Sequence, residues 1–200
     1  MKRLLLLVLL TSSVCAKAGI DLTATPSEYV AEGLTFRQLS LKDGDRRIIF
    51  EPPPQWTFRG TSTTMQFTPP NTSRADAFIQ VADAKAPERL DDNVISALRE
   101  KFMATLPVGC QHAQIVNEEF NPVQFEGASS YAITGKYQAI GETFLRSTVF
   151  VNLPASQLTF RLTARQPDFE KLNKPFRGSI LSWHWVGPSP RAQSPVTVSN

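Results

Sequence analysis

Along the middle of this chain, apolar residues recur at two spacings, and each spacing predicts a different element. From Thr35 to Leu41 and again from Arg46 to Glu51 they alternate with polar ones, and Lys42 to Asp45 between them supplies an Asp-Gly turn, so a hairpin is expected. Pro52, Pro53 and Pro54 have no N–H to give to a ladder, so the second strand must end there. Short strands are predicted over Trp56 to Thr61 and Thr63 to Thr68, with a bend near Gly60. Ala75 to Ala82 sets Ala77, Ile79 and Val81 against Asp76, Phe78 and Gln80, the pattern of a strand buried on one face and partly on the other. Between Asp91 and Leu106 the period lengthens. Ile95, Leu98, Phe102 and Leu106 define an amphipathic helix, with Asp91 or Asp92 as its cap and Pro107 and Gly109 as its end.

Four further strands are predicted at about Ala113 to Phe120, Ser130 to Ala139, Glu142 to Leu153 and Gln157 to Arg165. In the last, Leu158, Phe160, Leu162 and Ala164 share one face, and Thr159, Arg161, Thr163 and Arg165 share the other. Phe169, Leu172, Phe176, Ile180 and Trp183 then return to helical spacing, with Asp168 the expected cap after Pro167. Pro175 is expected to kink this helix or to break it by opening a second helical piece. Trp183, His184 and Trp185 would form its aromatic end, with Trp183 plugging the core. Residues 19 to 34 lack a sustained period and read as an N-terminal arm, while 187 to 200 read as a disordered tail. The fold class expected is α+β: one domain over residues 35 to 186 in which an antiparallel β-sheet is flanked by helices.

The amino terminus changes the picture. Lys2 and Arg3 precede an apolar run from Leu4 to Leu10, and Thr11 to Ala18 turns small and polar, the three-part pattern of a signal peptide ending after Ala16 or Ala18. The run is shorter than the roughly 20 residues that cross a bilayer, so no transmembrane segment is expected once it is removed. A lipid anchor at Cys15 is disfavoured by the branched Val14 before it. The expected location is therefore extracytoplasmic, periplasmic or secreted. Removal of residues 1 to 18 takes away Lys2, Arg3 and Lys17 and lowers Lys plus Arg from 21 to 18 against 18 Asp plus Glu, leaving a formally neutral chain that argues against nucleic acid as a partner. Cys110 would then be the only thiol, so stability must come from the core, for which 42% hydrophobic residues suffice.

Candidate chemistry is sparse. Cys110 and His112 could begin a metal site or a nucleophile and base pair, but the only other histidine is His184, and a packed thiol is the preferred reading. Glu118 and Glu119 are adjacent, so in a strand they point to opposite faces and cannot act as one acid and base pair. Asp43, Asp45, Asp91 and Asp92 are accounted for by a turn and a cap. Gly127-Ala-Ser129 and Gly178-Ser179 lack the second glycine of a nucleophile elbow. No phosphate-cradling loop, His-Glu-x-x-His or calcium loop is present, and no cofactor is expected. Asn71-Thr72-Ser73 matches a glycosylation acceptor, relevant only in a eukaryotic source. The residues singled out as a binding surface are Arg161 and Arg165 on one polar strand face, Lys136 on a neighbouring strand, and Trp185, since tryptophan often dominates interfaces.

A strand running into Ile48-Ile-Phe50-Glu-Pro-Pro-Pro-Gln-Trp56, an Ala77-Phe-Ile-Gln-Val81 strand, one helix, four antiparallel strands and a closing Phe176 to Trp183 helix together resemble the PsbP-like fold. That fold is shared by the photosystem II extrinsic protein, a Ran-binding nuclear import factor and several bacterial exported proteins. The resemblance implies an antiparallel sheet between helices and transfers no function, because members of one fold do unrelated binding jobs. The expected function is a non-enzymatic binding or assembly protein of the cell envelope with a protein partner. The alternative is a small-ligand carrier or an enzyme whose polar groups converge on the sheet face around Arg161, Arg165 and Lys136.

Overall fold

Strict alternation over Ser156–Arg165 fixes the centre of the molecule. Leu158, Phe160, Leu162 and Ala164 are all fully buried on one face, and the strand that carries them lies mid-sheet. In the computed structural model, which describes residues 19–83 and 89–187, the elements in chain order are β1 (Ile20–Ala31), β2 (Leu34–Asp43), β3 (Arg46–Phe50), β4 (Thr57–Gly60), β5 (Thr64–Thr68), β6 (Asp76–Asp83), α1 (Asp92–Ala104), β7 (Gln111–Phe120), β8 (Ser129–Ala139), β9 (Glu142–Asn152), β10 (Ser156–Arg165), α2 (Gln166–Leu181) and β11 (His184–Val186). The expected signal peptide, Cys15 and the expected tail beyond Gly187 lie outside the described residues. The fold is α+β. A seven-stranded antiparallel sheet runs β4-β5-β6-β10-β9-β8-β7, and a second, four-stranded one runs β1-β2-β3-β11.

The large sheet is covered differently on its two faces. On one face the small sheet and α2 close over it in a single apolar cluster, in which Leu39, Ile48 and Phe50 meet Ile79, Leu158 and Phe160, with Phe169, Leu172 and Phe176 of α2. Trp183 sits where the two sheets and the end of α2 converge, 4.8 Å from the Phe50 ring, 5.1 Å from Phe160 and 5.9 Å from Phe125. On the opposite face α1 lays Ile95, Leu98 and Phe102 onto Tyr131, Ile133 and Phe150 of β8 and β9. Asp91 caps α1 as expected, accepting the Val94 N–H at 2.9 Å.

Several expectations are corrected. The stretch from 19 to 34, which shows no period, carries the twelve-residue β1. Its fully buried positions stop at Leu22, with Ala24 half-buried against the core, the register shifts between Asp21 and Thr25, and most of the remainder is solvated, so no sustained alternation was there to read. Asp168 is not the cap of α2. The cap position is Arg165, whose side chain makes no capping bond, and Asp168 lies in the first turn, where its charge suits the helix dipole and accepts from Arg165 Nε at 2.9 Å. Pro175 opens no second helix, and α2 runs through it from Gln166 to Leu181. Leu172 and Phe176, on either side of the proline, are both buried in the core, so packing holds the helix together across it. The aromatic triplet is not helical either. α2 ends at Leu181, Trp183 drops into the core as expected, and His184–Val186 pairs with β3 as β11.

Both helices are tied to the edge strand β7 by ion pairs of opposite orientation. Glu118 accepts from Arg99 of α1 at 2.7 Å and from the Tyr131 hydroxyl at 2.5 Å, while Glu119 accepts from Arg177 of α2 at 2.8 Å. The adjacent carboxylates thus serve opposite faces, as their spacing required. The Arg99 hydrogen bonds hold the Glu118 carboxyl below its ordinary value, and those of Arg177 do the same for Glu119. A lowered folded pKa contributes stability above the ordinary carboxylate value and loses it as pH falls through the folded one. Thermal melts from about pH 7 down to about pH 3 will therefore show a falling midpoint at the acid end, and Glu118→Gln with Glu119→Gln will flatten that fall; an unchanged slope in the double variant would show that the clamps are thermodynamically silent.

Gly135 of β8 is required by a close approach. A Cβ there would lie 2.5 Å from Phe102 Cζ and 2.6 Å from Cε1, and Phe102 is completely buried. Gly135→Ala is expected to destabilise the protein by about 1–3 kcal/mol in denaturant melts. The cost should shrink in a Phe102→Leu background, which frees the space.

Candidate functional site

The open surface of the large sheet follows from where α1 stops. α1 covers β8 and β9, and beside it the same face of β10 and β6 is partly exposed among the described residues, with Thr163 buried, Arg161, Asp76 and Phe78 half-buried and Gln80 exposed. The register assigns this face. Arg161 is opposite Thr148 on β9 and Phe78 on β6, and Thr163 is opposite Arg146 and Asp76. The Arg161 guanidinium lies over the Phe78 ring at 3.8 Å and pairs with Asp76 at 3.6 Å. Arg146 is buried, 5% exposed, and donates through Nε to Thr163 Oγ1 at 3.0 Å. Its Nη1 reaches Thr105, donating to the carbonyl and to Oγ1, so Arg146 also satisfies the C-terminal end of α1. At the other end of the stripe Lys101 of α1 sets its ammonium 5.5 Å from the Phe150 ring centre and donates to Gln157 Oε1 at 2.5 Å.

Burial and, next, the charge of Arg146 push Arg161 down to about 10, and burial also lowers Lys101. Both shifts are those of cations partly withdrawn from water. The arrangement offers fixed positive charge and hydrogen-bond donors, with hydroxyls held by neighbouring cations or by packing. It is suited to holding an anion.

Of the residues singled out from the sequence, only Arg161 and Arg165 share this face, and they do different things. Arg165 is held by Asp168 at 2.7 Å and Glu142 at 3.7 Å beside an open cleft of about 550 Å³ lined by Glu142, Thr143, Arg165, Gln166 and Pro167. Its charge is already balanced. Lys136 is opposite Leu145, out of phase with the Gly135–Arg146 pair, and so points to the other side of the sheet from Arg161. Trp185 is half-buried in β11, where its Nε1 donates to Asp43 Oδ2 at 2.7 Å and Arg46 stacks on it at 5.4 Å. Arg46 is in turn held by Glu126 at 2.7 Å, so Trp185 fastens the small sheet rather than presenting a free ring. Arg146, Lys101 and Thr148 were not found from the sequence. A signal for the first existed: Arg146 stands alone as a charge within residues 144–151, a run otherwise fit for burial on both faces.

A second surface lies at the far end of the small sheet. β3 pairs with β2 only from Leu39 to Asp43, so residues 27–31 and 34–38 form a two-stranded ribbon with no further strand beside it among the described residues. Tyr29 and Phe36 stack across it at 5.2 Å, and the Tyr29 hydroxyl donates to Glu51 at 2.6 Å. At its tip Val30 is 71% and Leu34 62% exposed. Among the described residues no group of three His, Cys, Asp or Glu is placed to hold a metal ion, and Cys110 is a free thiol. No described helix is long and apolar enough to cross a membrane.

No family model matches the chain, and no curated protein matches it. Solved structures do. The cyanobacterial PsbP of Synechocystis, CyanoP, is similar at a TM-score of 0.50 and 12% identity over 86% of this chain and 95% of that one. LpqN of Mycobacterium tuberculosis is similar at a TM-score of 0.50 and 15% identity over 84% of this chain and 92% of that one. At such identities the likeness is one of architecture: two helices on antiparallel sheets, in the order the sequence motifs implied, make this a PsbP-like fold.

Proposed function

We propose that this chain is an exported, non-enzymatic binding or assembly protein of the cell envelope, periplasmic or secreted, that recognises a protein partner through its surface. The observation that carries the reading is the ribbon. A two-stranded ribbon is marginal in water on its own, and this one projects with Val30 and Leu34 at its tip, an arrangement that favours contact with another protein. The Tyr29–Phe36 stack and the Tyr29–Glu51 bond stiffen it, which lowers the ordering cost of binding. The three-part amino terminus supports export. LpqN, which shares the architecture, is described as involved in cell envelope biogenesis, in keeping with the same compartment.

A photo-crosslinking residue placed at Leu34 should give a discrete adduct in intact envelopes, whereas the same residue at the exposed Val108 should not. Val30→Asp with Leu34→Asp should abolish partner retention while changing stability by less than about 0.5 kcal/mol each, as expected for surface positions. Sequencing of the native polypeptide should begin after Ala16 or Ala18. Absence of an adduct at Leu34, or intact Met1 on cytosolic material, would refute the reading.

A further inference from the structure

Beside α1, the face of the large sheet holds two buried polar atoms that have no hydrogen-bond partner among the described residues, Thr148 Oγ1 and Arg161 Nε. They belong to residues directly opposite each other on β9 and β10. Thr148 is 2% exposed, so bulk water does not serve its hydroxyl. Leaving such a group unmade costs about 1–3 kcal/mol, and two of them side by side mark a place where a ligand atom is missing from the account.

The charges around them say what that ligand is. Arg146 is the diagonal neighbour of Arg161, with side chains about 7–8 Å apart at their roots. Lys101 stands over Phe150, which is opposite Thr159, the next residue of β10 on this face. The hydrogen bonds of Lys101 and Arg146 go to neutral groups, Gln157, Thr163 and Thr105, and among the described residues Asp76 is the one carboxylate paired with Arg161. Arg161 and Arg146 thus set two cations against the one carboxylate of Asp76 in a partly desolvated place, with Lys101 further along the strand. A water molecule would satisfy the two orphan atoms and leave the charge surplus untouched, whereas an oxyanion satisfies both at once.

We propose that Thr148, Arg161 and Arg146 form a binding site for the oxyanion of a small ligand, a carboxylate or a phosphate. The Thr148 hydroxyl and the Arg161 Nε–H donate to the head group. Arg146 supplies charge without leaving its present partners. This site is separate from the ribbon and does not depend on the protein partner.

The test uses the purified ¹⁵N-labelled protein titrated at constant ionic strength with acetate, benzoate, inorganic phosphate and phenyl phosphate, with chloride as control. The expected result is a saturable shift of the Arg161 Nε–H signal and a raised melting midpoint with the oxyanions but not with chloride. The better binder within each pair, acetate against inorganic phosphate and benzoate against phenyl phosphate, identifies the head group. Thr148→Val should weaken binding on the order of tenfold and Arg161→Gln at least as much, while Lys136→Gln, on the opposite side of the sheet, should bind as the parent does. Thr148→Val, nearly isosteric, keeps the test decisive should Arg161→Gln not fold. No saturable response below about 10 mM, the same response to chloride, or undiminished binding in Thr148→Val would overturn the proposal.

Discussion

Burial of Trp183 is the constraint on which the rest of the structure depends. Its ring touches Phe50 of the small sheet, Phe160 of the large one and Phe125 of the β7–β8 connection, and it follows directly on the end of α2. An indole fills a gap that no aliphatic side chain would, and burying it excludes water from the junction of three layers. Once it is seated, the chain can go only one way. His184–Val186 is delivered against β3, and the Trp185–Asp43 bond with the Arg46–Glu126 pair locks the strand there.

That closure makes the two faces of the large sheet unequal. One is sealed by the small sheet and α2. The other is covered by α1 over β8 and β9 and, among the described residues, half-exposed over β10, β6 and β5. Polar side chains can therefore gather at the margin of α1, half in and half out of water, where charges interact more strongly than on a free surface yet need not be fully paired. Arg146 belongs to both regimes: it closes the end of the helix through Thr105 and contributes charge to the open margin.

Much of this was legible in the sequence, for identifiable reasons. β3, β5, β6 and β10 each have one sealed face, so their side chains alternate, and the strands fall within a few residues of where the pattern put them. α1 announced itself by its period and by Asp91. β1 and β11 were not legible. The outer half of β1 has no buried face to impose a period, and β11, at three residues, continues the apolar spacing of the helix before it. The site was half legible. Alternation correctly set Arg161 apart from the core, but whether Lys136 and Arg161 share a face depends on the register across β9, which no single strand encodes. Arg146 and Thr148 become meaningful only when that register is known.

The pairing of β10 with β6 has a kinetic corollary. Leu158 must find Val81 with a helix and three strands intervening, and the small sheet completes itself only when the last residues return to Ile48. The pairings between consecutive strands can form early, whereas these two distant ones close last, since loop closure must precede any reward from contact. Cys110, a free thiol, offers no disulfide to hasten that closure. The two hairpin arrays of the large sheet, β4 to β6 and β7 to β10, therefore remain separate folding units until that late contact joins them.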